Sequence, residues 1–198
     1  MRREQTLALH PLFFMSTLST FHQFFDHCVG SWKTERTYHY LTQPLVERSH
    51  TDFVIHPLTV EQKQTVLSDN QYEPMAVEAL PGFHLEFNTV SETGETVAQA
   101  LNMLFVPKGE AETILSGDYL RDRAYEEARP IISQFRFNPN TGELLMKTYY
   151  TRVVSVDSIT LVNPRLRIRK ILNYRRPAEG EPLTDVVLVG FGVEQKAD

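Results

Sequence analysis

The strongest constraint on the fold of this chain is a change of pattern after residue 82. From there to the C-terminus, apolar and polar residues alternate in short segments, the two-residue repeat of β-strands that bury one face. The pattern predicts strands at 83–91, 96–106, 111–120, 130–138, 143–151, 153–162, 165–175 and 185–194. Turn residues separate these segments, most clearly in the run from Asn138 to Gly142, which is typical of a hairpin. Such short links join neighbouring strands in antiparallel order.

The N-terminal part adds two short helices and one more strand. Phe21, Phe24, Phe25 and Cys28 share one face of a helix predicted at 20–29, with Thr20 as its N-cap. A second capping box predicts a helix at 59–70, and residues 32–42 are predicted to form a strand. Residues 44–57 are predicted to be irregular. About nine antiparallel strands with short links favour an up-and-down barrel that holds one small ligand, and a β-sandwich is the alternative.

Length and charge narrow the range of functions. A chain of 198 residues is expected to form one domain, residues 20–198, after a loosely ordered extension, residues 1–19. A net charge of −5 argues against nucleic-acid binding, and no apolar run is long enough to cross a membrane. The single cysteine, Cys28, cannot form an internal disulfide and is predicted to be a packed core thiol. We predict no metal site, because His84 and Glu86 supply only two ligands.

Positive charge is concentrated in one segment near the C-terminus. Arg165, Arg167 and Arg169 alternate along the predicted strand at 165–175, so all three are expected to project from one face. Guanidinium groups pair with carboxylates or phosphates through two parallel hydrogen bonds. The segment therefore indicates either an anion-binding inner face or an ordinary strand with its arginines in solvent.

Four segments carry a resemblance to the S-type phycobiliprotein lyases. They follow one another in the order and at the spacing of that family, between about residues 21 and 195. The first segment matches at Phe24, Phe25, Gly30, Trp32, Arg36, Thr37 and His39, the second is Leu120 to Tyr125, the third matches at Pro164, Leu166, Arg167 and Arg169, and the fourth is Glu194.

The resemblance implies a fold and an activity. The fold would be an all-β, ten-stranded up-and-down antiparallel barrel of the lipocalin or fatty-acid-binding-protein type, with one or two short helices near the N-terminus. The protein would bind an open-chain tetrapyrrole, expected to be phycocyanobilin, as a substrate rather than as a cofactor. It would attach this phycobilin through a thioether bond to a cysteine of an apo-phycobiliprotein subunit, of phycocyanin or allophycocyanin. The expected location is the cyanobacterial cytoplasm or the plastid stroma.

The resemblance also implies roles for individual residues. Asp157 and Glu194 are predicted as catalytic carboxylates, because an acid near the pyrrole nitrogens favours the protonated, electrophilic pigment. Substrate-binding roles are predicted for Arg167 and Arg169 at the propionates, for Arg36, for the aromatic side chains Trp32, Tyr38 and Tyr40, and for Asp122 and Tyr125. For Trp32, Tyr38 and Tyr40 the alternative is ordinary packing in the barrel. For Asp122 and Tyr125 an alternative role is to shape a loop at the barrel mouth.

Other functions fit the same residues. The protein could carry a bilin without transferring it, or serve as one subunit of a lyase complex. It could act alone, as a homo-oligomer or together with a related lyase subunit. A barrel that binds fatty acids is a third hypothesis, since a fatty-acid carboxylate would also pair with two arginines.

Overall fold

A computed structural model describes residues 16–109, 113–122 and 129–197 of the chain. Within these ranges the chain forms two helices and ten strands. The helices are α1 (Thr17–Cys28) and α2 (Val60–Asp69). The strands are β1 (Gly30–Tyr40), β2 (Leu45–Pro57), β3 (Gly82–Ser91), β4 (Thr96–Pro107), β5 (Leu115–Arg121), β6 (Ile131–Asn138), β7 (Glu143–Tyr149), β8 (Val153–Asn163), β9 (Leu166–Arg175) and β10 (Val186–Lys196).

The ten strands form a closed up-and-down barrel. Each strand pairs antiparallel with its neighbour along the chain, and β1 closes the barrel by pairing with β10. In the closing pair Thr34 lies opposite Glu194, and in the next pair Glu194 lies opposite Arg167. The predicted fold class, an all-β antiparallel barrel with two short helices, is confirmed, and the sandwich alternative is wrong.

Helix α1 closes one end of the barrel. Its buried face consists of Phe21, Phe24, Phe25 and Cys28. The ring of Phe21 stacks on Phe135 with centroids 5.1 Å apart and lies 5.0 Å from the ring of Phe137. Both partners point into the barrel, so a single aromatic core joins the helix to the strands. We call this the helix end, and we call the opposite end, lined by Tyr40, Glu47, Ser133, Ser155 and Asn173, the far end.

Helix α2 lies on the outside of the barrel. Thr59 and Gln62 form the predicted capping box, with Thr59 N donating to Gln62 Oε1 over 2.9 Å. Val66 and Leu67 bury their side chains in a second cluster that contains outward-facing Leu104 and Leu120. This cluster covers the outer face of β4 and β5 and leaves the barrel interior free of α2.

Two predictions about the N-terminal part are wrong. Residues 45–57 form the strand β2, because Ser49 and Thr51 face inward as small polar residues and obscure the usual apolar alternation. Helix α1 begins at Thr17 with Ser16 as its N-cap, three residues before the predicted start. The side chain of Thr20 donates a hydrogen bond to Ser16 O instead of capping the helix. The proposed boundary between residues 19 and 20 stays a prediction, because residues 1–15 lie outside the described part.

Candidate functional site

Two of the three alternating arginines point into the barrel. Arg167 is buried and Arg169 is partly buried on the inner face of β9. Arg165 is exposed in the turn that precedes this strand, where its backbone N–H donates to Asn163 Oδ1 over 2.8 Å. The prediction that all three arginines share one face is therefore wrong for Arg165, because the turn delays the start of β9 by one residue.

Arg167, the deeper of the two inward arginines on β9, belongs to a largely buried ion cluster. Arg167 Nη2 lies 2.6 Å from Glu194 Oε2, and its Nε donates to the same oxygen over 2.9 Å. Arg36 Nη2 lies 3.5 Å from the other carboxylate oxygen. Glu194 has no solvent exposure, so its charge is balanced only within the protein. The guanidinium of Arg167 also lies 4.4 Å from the ring centroid of Trp32, within cation–π range.

The electrostatic balance keeps this cluster ionised. Burial opposes ionisation of Glu194, but the charges of Arg167, Arg169 and Arg36 outweigh it and lower the pKa of the carboxyl. Burial likewise opposes the charge of Arg167, and Glu194 outweighs it and raises the pKa of the guanidinium. Glu194 is thus an anion held by arginines rather than a proton donor at neutral pH.

A second ion pair lies closer to the far end. Arg169 donates to Asp157 Oδ1 from Nε over 3.1 Å and from Nη2 over 2.9 Å. The side chains of Arg169 and Asp157 keep exposed fractions of 24% and 20%, compared with 4% and 1% for Arg167 and Glu194. A ligand in the barrel can therefore reach the Asp157–Arg169 pair more readily than the Arg167–Glu194 pair.

The predicted aromatic residues occupy different depths. Trp32 is fully buried at the helix end, where its ring stacks on Phe53 and its Nε1–H donates to Cys28 O over 2.8 Å. Tyr38 and Tyr40 are partly buried nearer the far end, and Tyr40 donates to Glu47 Oε2 over 3.0 Å. The structure thus places Trp32 beneath the ion cluster and the two tyrosines above it.

Two glycines on β10 make room for this wall of the site. A Cβ at Gly192 would lie 3.0 Å from Arg36 Cγ and 3.0 Å from Thr34 Oγ1. A Cβ at Gly190 would lie 2.9 Å from the ring of Tyr38. Arg36 and Tyr38 therefore lie across a stretch of β10 that has no side chains on its inner face.

One more predicted residue, Asp122, lies apart from the ion cluster. Asp122 faces the outside of the barrel, and its carboxylate accepts hydrogen bonds from Asn102 N and Asn102 Nδ2, each over 3.0 Å. Its observed partners fit the loop-shaping alternative better than a ligand contact. Tyr125 lies outside the described residues.

Several polar residues of the interior were not singled out from the sequence. Arg121 on β5 is buried, donates a hydrogen bond to Tyr150 Oη, and lies 5.7 Å from the ring centroid of Tyr119. Ser133, Thr148 and Ser155 are also buried and point inward. Their positions in the two-residue repeat, two residues from inward apolar neighbours, were the available signal.

Cys28 is a core thiol, as predicted. It is buried among the aromatic side chains of the helix end, and burial raises its pKa despite the opposing charge of Arg167. The protonated, inaccessible thiol excludes Cys28 as a nucleophile for a large substrate.

The described ranges contain neither a metal-ligand cluster nor a membrane-spanning helix. No group there brings together three or more His, Cys, Asp or Glu side chains that could hold a metal ion. His84 Nε2 lies 3.1 Å from Glu86 Oε1, and its other ring nitrogen lies 2.7 Å from Asn102 Oδ1. Neither helix is long and apolar enough to span a bilayer.

Comparison with known proteins assigns the family. The model of the family described as CpeS-like protein matches residues 20–197. This chain belongs to the CpeS-like family. The CpeS-like relative named chromophore lyase CpcS/CpeS 1, from Synechococcus sp. (strain JA-3-3Ab), is 60% identical over 182 residues, which cover 92% of this chain and 99% of that protein. The predicted family and its chromophore lyase activity are thereby confirmed.

Two more distant proteins, one relative in sequence and one solved structure, support the same family and fold. The phycocyanobilin lyase subunit CpcS of Picosynechococcus sp. is 20% identical over 156 residues, which cover 78% of each chain. The solved structure of the S-type phycobiliprotein lyase CPES from Guillardia theta superposes with a TM-score of 0.71 at 18% identity, covering 93% of this chain and 94% of that one. That structure shows the same fold, while the pigment and the role of each site residue stay predictions for this chain.

Proposed function

We propose that this lyase binds a phycobilin inside its barrel and attaches it to a cysteine of an apo-phycobiliprotein subunit. The observation that carries the proposal is the Asp157–Arg169 pair, an accessible carboxylate beside an accessible guanidinium in the barrel interior. An open-chain tetrapyrrole presents pyrrole N–H groups, which a carboxylate can accept from, and two propionates, which a guanidinium can bind. Phycocyanobilin is the proposed pigment, and a subunit of phycocyanin or allophycocyanin is the proposed acceptor.

Asp157 is the proposed contact of the pyrrole nitrogens. Its carboxylate accepts hydrogen bonds only from Arg169 among the contacts described, and one of its oxygens is available for further donors. A carboxylate at this place favours the protonated, electrophilic pigment. Glu194, the other predicted catalytic acid, is surrounded by arginines and is proposed to support Arg167 and Arg36 from below.

Arg169 and Arg36 are the proposed contacts of the propionates. The Nε of Arg36 is buried and has no hydrogen-bond partner among the described residues, so it can donate to a ligand carboxylate without giving up a bond. Arg167 donates to Glu194 and lies over Trp32, so we propose that it sets the potential of the site from below. Tyr38 and Tyr40 flank the pigment on the β1 wall.

The reaction itself is an addition. The acceptor thiol adds across the exocyclic double bond of the ring that carries the ethylidene group. Sulfur bonds the exocyclic carbon, and the proton of the thiol ends on the adjacent ring carbon, so no oxidant or reductant is needed. The lyase binds the pigment in one orientation and exposes the reacting ring to the acceptor cysteine, which is positioning catalysis. The pigment is a substrate that leaves with the acceptor and not a resident cofactor.

The alternative functions are separated by the same geometry. Arg167 and Arg169 are already paired with carboxylates, so a fatty-acid carboxylate would compete there with Glu194 or Asp157, and only Arg36 Nε offers it a donor that the described residues leave without a partner. A pure carrier or a lyase subunit would bind the pigment without transferring it. We propose a location in the cyanobacterial cytoplasm, where an acceptor subunit would meet the lyase, and action alone or with a second lyase chain.

The test is a titration followed by transfer. Purified protein is titrated with phycocyanobilin by absorbance, and apo-phycocyanin or apo-allophycocyanin is then added. A red-shifted complex whose colour passes to the acceptor and survives denaturation supports the lyase. A complex that keeps its pigment identifies a carrier or a subunit that needs a partner, and the absence of a spectral change rejects the proposal.

One pair of variants assigns the carboxylate. Asp157→Asn keeps the shape of the side chain and removes its charge, so the red shift and the transfer rate should fall while binding persists. Asp69→Asn, an exposed change on α2, is the matched control and should behave as wild type. Equal transfer by the two variants would remove Asp157 from the mechanism.

A further inference from the structure

The far end of the barrel contains a row of uncharged polar side chains. These residues belong to four consecutive strands and all face the interior: Ser133 (β6), Thr148 (β7), Ser155 (β8) and Asn173 (β9). Thr148 pairs with Ser155, and Ser155 pairs with Asn173. Because Gln134 pairs with Lys147, the register places Ser133 beside Thr148. We call these four residues the hydroxyl row.

Three of the four residues of the hydroxyl row are buried, and two of the row's polar atoms lack a hydrogen-bond partner among the described residues. The exposed fractions of Ser133, Thr148 and Ser155 are 2%, 3% and 6%. Nevertheless, Ser133 Oγ and Asn173 Oδ1 have no hydrogen-bond partner within the part of the chain that the structure describes. Since a buried polar group without a partner costs free energy, the row is prepared for polar groups that come from outside the chain.

Its position relates it to the proposed pyrrole contact. Ser155 precedes Asp157 by two residues on the same face of β8, so the two side chains lie about 6.6 Å apart along the strand. The row lies on the far-end side of Asp157, and the two ion pairs lie on the other side or at its level. A pigment centred on Asp157 would extend one terminal ring into the hydroxyl row.

The chemistry of the row selects an uncharged group. Its four side chains carry no charge, and the guanidinium of Arg121 on the neighbouring strand β5 already donates to Tyr150 Oη, so the row itself does not compensate the charge of a propionate. Hydroxyl groups donate and accept, and an amide oxygen accepts. A lactam ring, whose carbonyl accepts and whose N–H donates, matches this set, and both terminal rings of a phycobilin are lactams.

We propose that Ser133, Thr148, Ser155 and Asn173 form a lactam subsite, which binds the terminal ring of the pigment that faces the far end. The inference rests on the proposed function, because it concerns one ring of the same ligand. The subsite fixes how far the pigment slides along the barrel and which end ring is presented to the acceptor.

The test uses two pigments and a matched set of variants. Ser133→Ala and Ser133→Ala/Ser155→Ala are titrated with phycocyanobilin and with its dimethyl ester, and Gln134→Ala, on the outer face beside Ser133, is the control. Loss of one and of two hydrogen bonds should weaken binding about fivefold and about 20-fold, equally for both pigments, because the lactam is unchanged by esterification. Arg169→Ala should weaken binding of the free acid alone.

Thermal unfolding of the ligand-free proteins provides a second readout. Because Ser133 Oγ has no partner, Ser133→Ala should leave the midpoint unchanged or raise it while pigment binding weakens. A lower midpoint with unchanged pigment affinity would show a purely structural serine and overturn the subsite.

The outcomes separate the two proposals. If wild type binds neither pigment, the proposed function and the subsite fail together. If wild type binds and Arg169→Ala discriminates the free acid from the ester, but the serine variants bind as Gln134→Ala does, the subsite alone is overturned.

Discussion

The helix end and the far end are built from the same ten strands, yet their interiors differ in chemistry. At the helix end, Phe21 lies among the rings of Phe25, Phe135 and Phe137, with centroids 4.9 to 5.1 Å apart. At the far end, Ser133 is a buried hydroxyl without a hydrogen-bond partner among the described residues. Burial of apolar rings stabilises the fold, whereas unpaired polar groups reduce its stability. The comparison indicates that stability is concentrated at one end and ligand recognition at the other.

The two ion pairs lie between the helix end and the far end. The Arg167–Glu194 pair is enclosed against Trp32, and the Asp157–Arg169 pair is partly accessible. A buried pair is costly to break but adds little net stability, so its presence is better explained by its effect on the site. The enclosed Arg167–Glu194 pair thus helps to fix how the neighbouring arginines are arranged where a ligand can reach them.

The largest effect is expected from Phe21→Ala. Phe21 is fully buried at the centre of the aromatic core, so its removal leaves a cavity and should lower the free energy of unfolding by about 3–5 kcal/mol. Chemical denaturation measures this loss, and Leu18→Ala, an exposed change on the same helix, should cost little. Comparable losses for the two variants would show that α1 is not an integral part of the core.

Arg167→Ala should have the next largest effect, and it should act at both ends. It leaves the buried Glu194 with only Arg36 at ion-pair distance, which should cost about 3 kcal/mol of stability. Pigment binding should also weaken, because Arg36 would be drawn toward Glu194. Lys170→Ala, an exposed change on the opposite face of the same strand, should leave both quantities near wild type. Equal losses of pigment affinity in the two variants would contradict an inward role for Arg167.

The pH dependence of stability should depend on Glu194. Its pKa is lowered in the folded protein, so its contribution is fully present above the unfolded-state pKa of about 4.3 and is lost as the pH falls from there through the folded-state pKa. Glu194→Gln should therefore flatten the acid side of the stability curve, measured by denaturation between pH 6 and pH 3. Glu95→Gln, at an exposed position, should retain the wild-type slope. A wild-type slope in Glu194→Gln would mean that other carboxyls govern acid unfolding.

The sequence predicted the barrel well where apolar residues mark its inner face. Phe135 and Phe137 revealed β6, and Thr59 with Gln62 revealed the start of α2. On β1, the strand was predicted and its proposed substrate-binding residues share the inner face, where Arg36 and Tyr38 lie against glycines. Alternation is informative there because large side chains are confined to one face.

Prediction failed where the interior is polar. The inward residues of β2 include Ser49 and Thr51, which in sequence resemble residues of an exposed loop. Ser133 and Asn173 were overlooked for the same reason, because a buried hydroxyl and a solvent-facing one are identical in sequence. The inward polar residues of a ligand-binding barrel are therefore those that hydrophobic alternation in the sequence does not reveal.

Asp122 is the reverse case, a residue selected by motif resemblance that the structure places outside the barrel. Its carboxylate accepts hydrogen bonds from the backbone and side chain of Asn102, so Asp122→Ala should cost about 1 kcal/mol of stability, the smallest effect considered. Pigment affinity should stay within twofold of wild type, in contrast to Asp157→Asn, which faces the interior. Loss of affinity in Asp122→Ala without loss of stability would restore its predicted substrate contact. It would also mean that the binding region extends beyond the barrel interior to the β4–β5 side of the outer wall, where Asn102 and Asp122 meet.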